Sequence, residues 1–138
     1  MITKLNHATI YVFDHDVAFD FYVNKLGFKV HTDAEFAPGM RWLTVTPPSQ
    51  PDLEIILMKV AGGENSPMSE KAAELLTQLI KEHGFGVGVL ESDDCQADYE
   101  RLVAQGVEFM KPPKQEFYGL EALLKDPFGN WFSMTQRS

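Results

Sequence analysis

The sequence predicts an α+β fold built from two copies of a βαβββ unit, in which one strand is followed by a helix and three further strands. Residues 5–60 and 85–137 carry the same order of patterns, and the helix of each copy ends in a glycine, Gly27 or Gly106. These glycines are separated by 79 residues, an offset that also relates several other positions of the two copies. A repeat of this size cannot bury its own apolar face, so the copies are expected to pack together as tandem modules around a cup, with a mixed sheet. A ferredoxin-like αβ sandwich is the structural alternative. It is disfavoured because three consecutive strands follow each of the repeated helices.

The first unit opens with a strand rich in β-branched and aromatic residues. Asp14 or Asp16 can cap the helix that follows, because a carboxylate at this position accepts hydrogen bonds from free backbone N–H groups. Gly27 is placed to end the helix in the left-handed conformation. The four strands of the unit are predicted at 5–13, 28–35, 40–46 and 53–60.

A connector without a counterpart in the second copy spans residues 61–84. Ser66 and Pro67 are predicted to open a helix, Ser66 as cap and Pro67 in the first turn. The apolar positions at helical spacing form one stripe: Ala72, Leu75, Leu76, Leu79 and Ile80. The chain is therefore predicted to be a single domain, with module one at 1–60, the connector at 61–84 and module two at 85–138.

The second unit repeats the plan of the first. Asp93 or Asp94 caps its predicted helix, and Gly106 ends it. The segment from Asp126 to Asn130, Asp-Pro-Phe-Gly-Asn, is a tight-turn signal between two predicted strands, 120–125 and 131–136.

Composition restricts the classes of function. The chain has 138 residues and a formal net charge of −8, with no Lys/Arg cluster, so nucleic acid is not an expected partner. The acidic charge favours a cationic small molecule only mildly. No apolar run is long enough for a membrane span, and the start shows no apolar signal-peptide core. The single cysteine, Cys95, suits a reducing cytoplasm, where the protein is expected, and is interpreted as structural.

Glu54 and His7 are the leading candidates for chemistry. Both faces of the strand that carries Glu54 are mainly apolar, so its carboxylate is expected to be paired, hydrogen-bonded, metal-bound or protonated. His7 lies on a different strand of the same unit, and a His–carboxylate pair is half of a metal site. The offset of 79 pairs Glu54 with Ser133, and a one-residue adjustment pairs His7 with Val87.

Other residues are candidates for ligand contacts. Glu121 is the best available substitute for a missing metal ligand, although a solvated edge carboxylate is the favoured interpretation. Aromatic side chains near the strands could line a binding site. The residues predicted to contact a ligand are Tyr11, Trp42, Tyr118, Trp131 and Ser133.

The repeated unit, its glycine-ended helix and the Asp-Pro-Phe-Gly-Asn turn resemble the glyoxalase/bleomycin-resistance/dioxygenase group, the vicinal oxygen chelate superfamily. The resemblance covers nearly all the chain except the connector, and implies a glyoxalase-like cup and a homodimer. Metalloenzymes of the group draw ligands from the first and last strand of each module. His7 and Glu54 match those positions in the first module, whereas Val87 and Ser133 do not match in the second.

Three functions follow as hypotheses. The first is a small-molecule binding protein with an incomplete metal site, which holds its ligand in the cup between the modules, like the drug-sequestering members that the resemblance implies. The second is a lyase, isomerase or dioxygenase that uses a divalent Zn, Ni, Mn or Fe ion held by His7 and Glu54. The third is a metal-free acid–base enzyme with Glu54 as base and His7 as its partner.

Overall fold

The computed structural model describes residues 1–138 and confirms the α+β class and the two βαβββ units. It contains eight strands and three helices, with the following bounds: β1 His7–Val12, α1 His15–Phe19 continued by a π-helical segment Asp20–Lys25, β2 Lys29–Ala37, β3 Met40–Thr46, β4 Glu54–Lys59, α2 Glu70–Lys81, β5 Gly86–Glu91, α3 Cys95–Ala104, β6 Glu108–Glu116, β7 Gly119–Lys125 and β8 Trp131–Arg137. The chain divides into two compact units, Met1–Ala73 and Glu74–Ser138.

The first unit is a four-stranded mixed sheet in the order β1-β4-β3-β2. β1 runs parallel to β4, and the other neighbours are antiparallel. Phe21 and Tyr22 are buried and pack edge to face, with ring centroids 4.9 Å apart. The remaining buried apolar side chains of this core include Ile10, Val12, Ala18, Leu43, Val45 and Leu57.

The second unit repeats the topology in the order β5-β8-β7-β6, with β5 parallel to β8. Its core includes Cys95, Leu102, Val107, Ala122, Leu124, Phe132 and Met134. Since Phe132 and Met134 alternate with Trp131 and Ser133 along β8, the latter two lie on the opposite face of the sheet.

Side-chain caps begin both repeated helices. Asp14 Oδ1 accepts from the backbone N–H of Asp16 at 2.8 Å and of Val17 at 3.0 Å, and Asp94 Oδ1 accepts from Ala97 at 3.0 Å. The glycines after the helices adopt left-handed φ values of +83° and +87°, as predicted. Of the alternatives that the sequence left open, the structure therefore selects Asp14 and Asp94.

The prediction for the start of the connector helix is wrong. α2 begins after Ser69, whose Oγ accepts from Ala72 N at 3.1 Å. Ser66 instead donates to Ala61 O and accepts from Met68 N, which closes a turn before the helix. Serine satisfies a turn as readily as a helix cap, so the sequence offered two equivalent signals three residues apart. No helix in the structure is long and apolar enough to cross a membrane.

The π-helical segment after α1 explains an irregularity in the repeat. Leu26 N donates to Phe21 O at 2.9 Å, five residues back. Thirteen positions separate Asp14 from its left-handed glycine, whereas twelve separate Asp94 from its own. A π-bulge adds one residue to a helix, so the two units go out of step by one residue here.

The Asp-Pro-Phe-Gly-Asn segment forms the predicted tight turn between β7 and β8. Asp126 Oδ1 accepts from the backbone N–H groups of Phe128, Gly129 and Asn130 at 2.9–3.0 Å. The Asn130 side chain donates to the other oxygen of Asp126 at 2.8 Å. One buried carboxylate thus fixes the path of the chain into β8.

Candidate functional site

A cavity of about 970 Å³ lies on the sheet face of the second unit. Its floor is formed by β5, β7 and β8, and the turn before β7 contributes Tyr118. The lining residues are Gly86, Val87, Gly88, Val89, Tyr118, Glu121, Leu123, Trp131, Ser133, Thr135, Arg137 and Ser138. The floor is therefore mainly apolar with a few polar side chains, as is typical of small-molecule pockets.

Trp131 packs against a glycine on the neighbouring strand. It is the register partner of Gly86 in the parallel β5–β8 pair. A methyl group built on Gly86 would lie 2.5, 2.8 and 2.9 Å from three atoms of the indole ring. Only glycine therefore leaves room for the indole at this position, and the cross-strand pair holds an aromatic surface in the cavity.

Glu121 is the polar centre of the cavity wall. Its Oε1 accepts from Lys111 Nζ at 2.8 Å and from the Tyr118 hydroxyl at 2.7 Å, and its Oε2 accepts from the Ser133 hydroxyl at 2.6 Å. Its side chain is 16% exposed, so the favoured interpretation of a solvated edge carboxylate is wrong. Glu121, Lys111, Tyr118 and Ser133 are called the Glu121 cluster below.

The partners of Glu121 hold it in the charged form. Hydrogen bonds from Lys111, then Ser133 and Tyr118, lower the pKa of Glu121 from 4.5 to about 2. In turn, the carboxylate raises the pKa of the Lys111 ammonium and of the Tyr118 hydroxyl. At neutral pH the cluster is an ion pair with two neutral hydroxyls donating to it.

Sheet geometry assembles this cluster from distant parts of the sequence. Ser133 pairs with Leu123 in register and lies diagonally across from Glu121 on the same face. On the edge strand β6, the register shifts on both sides of Lys111, next to Pro112 and Pro113. A bulge changes the direction in which a side chain points. The irregular register of β6 occurs at the position where the Lys111 side chain extends to Glu121. Lys111 and Gly86 are not predicted from the sequence, because nothing in the local pattern marks a lysine near a Pro-Pro pair or a strand glycine as part of a site.

The residues predicted to contact a ligand fall in different units. Tyr118, Trp131 and Ser133 line the cavity of the second unit, together with Glu121. Tyr11 on β1 and Trp42 on β3 belong to the first unit. All remain predictions as ligand contacts.

His7 and Glu54 are brought together in the first unit. They are register partners in β1 and β4, and His7 Nε2 lies 3.1 Å from Glu54 Oε1. His31 Nδ1 lies 3.4 Å from the other oxygen of Glu54. The Glu54 side chain is 16% exposed, so its carboxylate is paired and largely covered, as the sequence predicted. The 3.1 Å separation meets the distance requirement of the acid–base hypothesis, which stays a prediction.

Strand register corrects the equivalence drawn from the constant offset. Ile56 pairs with Thr44, and Ser133 pairs with Leu123, which lies 79 residues after Thr44. Ser133 is thus the counterpart of Ile56 and not of Glu54. The reason is loop length: seven residues precede β4, but only five precede β8.

The true counterparts of the His7–Glu54 pair are Gly86 and Trp131. Trp131 N donates to the carbonyl of Phe85 before β5, just as Glu54 N donates to the carbonyl of Asn6 before β1. The predicted match of His7 with Val87 is displaced by one residue, because β5 carries a register shift between Gly86 and Gly88. The second unit therefore has an indole over a glycine where the first has a carboxylate beside an imidazole.

These residues do not fit the divalent metal that the resemblance implies. Gly86 has no side-chain donor, and an indole N–H is not a ligand for Zn, Ni, Mn or Fe. The oxygens of Glu121 are already bonded by Lys111, Tyr118 and Ser133. No group of three or more His, Cys, Asp or Glu side chains is arranged to hold a metal ion.

Cys95 is buried at the start of α3, and its thiol donates to Met134 O at 3.6 Å. Burial, together with Asp98, raises the pKa of the thiol. A buried thiol with a raised pKa is a poor nucleophile, which supports the interpretation of Cys95 as structural.

Comparison with known proteins establishes the family. Residues 4–134 match the model of the Glyoxalase/Bleomycin resistance protein/Dioxygenase superfamily. An uncharacterised protein of Shewanella frigidimarina (strain NCIMB 400) is 31% identical over 137 residues, which cover 99% of this chain and 95% of that protein.

Two solved structures share the fold over almost the full length of both chains. The crystal structure of UcmS2 is 40% identical, with a TM-score of 0.87 and 98% of each chain covered. TnmS3, an antibiotic binding protein from Streptomyces sp. CB03234, is 27% identical, with a TM-score of 0.74, and the match covers 99% of this chain and 98% of TnmS3. The chain belongs to the glyoxalase/bleomycin resistance protein/dioxygenase superfamily.

Proposed function

We propose that this protein binds a planar aromatic small molecule in the cavity of the second unit, without using a metal. The observation that carries the proposal is the replacement of a ligand-type pair by Trp131 and Gly86. Where the first unit has a carboxylate and an imidazole that could bind a cation, the second unit has an aromatic surface. Aromatic rings favour offset or edge-to-face contact with such a surface.

The size and chemistry of the cavity support this function. Its volume of about 970 Å³ exceeds the needs of a metabolite of a few atoms and suits a molecule of several fused rings. Apolar contact is offered by Val87, Leu123 and Trp131. The Glu121 cluster supplies polar groups in a fixed orientation, because each of its hydrogen bonds is made within the protein.

The comparisons support a binding role. TnmS3 shares the fold at 27% identity and binds an antibiotic. Because the family contains both binding proteins and metalloenzymes, the fold by itself does not choose between them. The residues at the counterpart positions favour a binding role, since the second unit has an indole and a glycine where the first has Glu54 and His7.

The test is a calorimetric titration with 2-naphthol, a planar two-ring probe, against the wild type and three variants. Trp131→Ala removes the aromatic surface, and we expect the affinity to fall by about tenfold or more, equivalent to roughly 1.4 kcal/mol. Trp131→Phe keeps a ring and should retain most of the affinity. Trp42→Phe alters the other tryptophan, which does not line this cavity, and should bind as the wild type does.

Two results would contradict the proposal. Unchanged affinity in Trp131→Ala would show that the ligand does not use this surface. A loss of affinity in Trp42→Phe with none in Trp131→Ala would move the ligand to the first unit.

A further inference from the structure

We infer that the ligand of this cavity is neutral where it meets the Glu121 cluster and brings a hydrogen-bond donor to it, such as a phenolic hydroxyl or an N–H group. This inference rests on the proposed function and adds the chemical class of the ligand. It follows from which donors and acceptors of the cluster are already used.

Both hydroxyl groups of the cluster already donate their hydrogen bonds to Glu121. Ser133 and Tyr118 each have one hydroxyl hydrogen, and both point to the carboxylate, at 2.6 and 2.7 Å. At the three cluster members that line the cavity, Glu121, Tyr118 and Ser133, only acceptors remain. These are the lone pairs of the two hydroxyl oxygens and the unfilled capacity of the carboxylate, which has about four acceptor positions.

Near neutral pH the Glu121 carboxylate can accept hydrogen bonds but cannot donate one. Its pKa is lowered to about 2 by Lys111, Ser133 and Tyr118, so it carries no proton to donate. Lys111 is not among the lining residues, so a ligand carbonyl placed against Glu121, Tyr118 and Ser133 would meet only acceptors. An unmatched buried polar group is costly. A ligand hydroxyl or N–H group would complete the network.

The charge of Glu121 is already paired with a cation, since Lys111 Nζ lies 2.8 Å from its Oε1. Glu116 Oε1 lies 3.5 Å from the same ammonium and has a second cation, Lys114 Nζ, at 3.9 Å. A ligand cation would have to compete with an ammonium group at hydrogen-bond distance. The acidic net charge of the chain therefore does not make this cavity a cation site, and the mild preference inferred from composition does not apply here.

The other polar groups among the lining side chains are the Trp131 indole N–H, Thr135, Arg137 and Ser138. Thr135 presents a hydroxyl that can donate or accept. The Arg137 side chain is 83% exposed and lies 3.6 Å from Glu91 Oε1. None of these groups forms part of the cluster, so the donor requirement applies to the ligand group that contacts Glu121, Ser133 and Tyr118.

The experiment compares 2-naphthol with 2-methylnaphthalene on the wild-type protein. The two probes have the same rings and nearly the same size, but the methyl group cannot donate a hydrogen bond. Stacking and burial alone would favour the more apolar methyl probe. We expect the hydroxyl probe to bind about tenfold more tightly or better, because it donates to a charged acceptor.

The outcomes separate this inference from the proposed function. If both probes bind and the methyl probe binds as well or better, the donor requirement is refuted while aromatic binding stands. If neither probe binds up to its limit of solubility, the proposed function itself fails. No variant is needed for this comparison, so the result does not depend on the folding of a mutant.

Two variants then identify the groups responsible. In Glu121→Gln, an amide N–H₂ replaces one acceptor oxygen, and the hydroxyl preference should shrink to about threefold or less. In Lys111→Met, the carboxylate loses its counter-charge, and trimethyl-2-naphthylammonium should gain affinity over 2-methylnaphthalene. A cation preference already present in the wild type would overturn the inference of a neutral ligand group.

Discussion

The contact between Gly86 and Trp131 allows a sharp test of how the aromatic surface is held. In Gly86→Ala, the added methyl group would lie 2.5–2.9 Å from three indole atoms. Carbon atoms that do not repel each other lie about 3.5–4.0 Å apart. The rigid ring would have to move by about 1 Å, because the backbone of β5 is fixed by its pairing with β8.

The expected cost is that of overpacking, about 1–3 kcal/mol in the free energy of unfolding. Gly88→Ala is the matched control, two residues along the same strand and on the same cavity wall. A methyl group there meets no atom within 4 Å, and its φ is not in the left-handed region. Gly88→Ala should therefore be neutral or stabilise by about 0.4–1 kcal/mol through the unfolded chain.

Thermal and urea unfolding of the two alanine variants measure this difference. For a chain of this length, 1 kcal/mol corresponds to a shift of roughly 3–5 °C in Tm. We expect Gly86→Ala to unfold about 5–15 °C below Gly88→Ala and to bind 2-naphthol less tightly. In a Trp131→Ala background the cost of Gly86→Ala should vanish, which is the signature of a direct contact in a double-mutant cycle. Equal stability of the two alanine variants in the native background would refute the packing argument.

Three further predictions concern other contacts. Glu121→Gln should remove a pH-dependent part of the free energy of unfolding. Because the pKa of Glu121 in the folded protein, about 2, lies below the ordinary 4.5, this part is present above pH 4.5 and is lost as the pH falls to about 2. In acid titrations the stability difference between the variant and the wild type should therefore shrink over that range. Asp94→Ala should cost about 1 kcal/mol in urea unfolding, because Ala97 N loses its cap; equal midpoints would count against this role. Gly129→Ala should cost more than about 3 kcal/mol, since its φ is +116° and a methyl group would overlap Ile80 O; a folded variant with wild-type Tm would contradict the turn geometry.

Local features of the fold could be predicted from the sequence because each depends on residues close together in the chain. A capping aspartate, a left-handed glycine and the Asp-Pro-Phe-Gly-Asn turn each use hydrogen bonds over a few residues. The start of α2 shows the limit of this reasoning, because two serines three residues apart satisfied the same local rule.

The candidate site was only partly predictable, because its contacts join positions that the chain separates. Residue type and strand position predict Tyr118, Trp131 and Ser133 as ligand contacts, and the structure places all three in one cavity. The sequence does not predict that Glu121 is covered. Its partner Lys111 is ten residues away and depends on an irregular edge strand, whose register shifts have no unique local signal.

The sequence by itself determined that two similar units exist and which residues begin and end their helices. Only the tertiary structure decided which residues of the two units correspond. A π-bulge and a loop shorter by two residues change the offset along the chain, whereas hydrogen bonds between strands fix the register independently of that offset. For this reason Glu54 corresponds to Trp131, and the position of a carboxylate in one unit is taken by an aromatic side chain in the other.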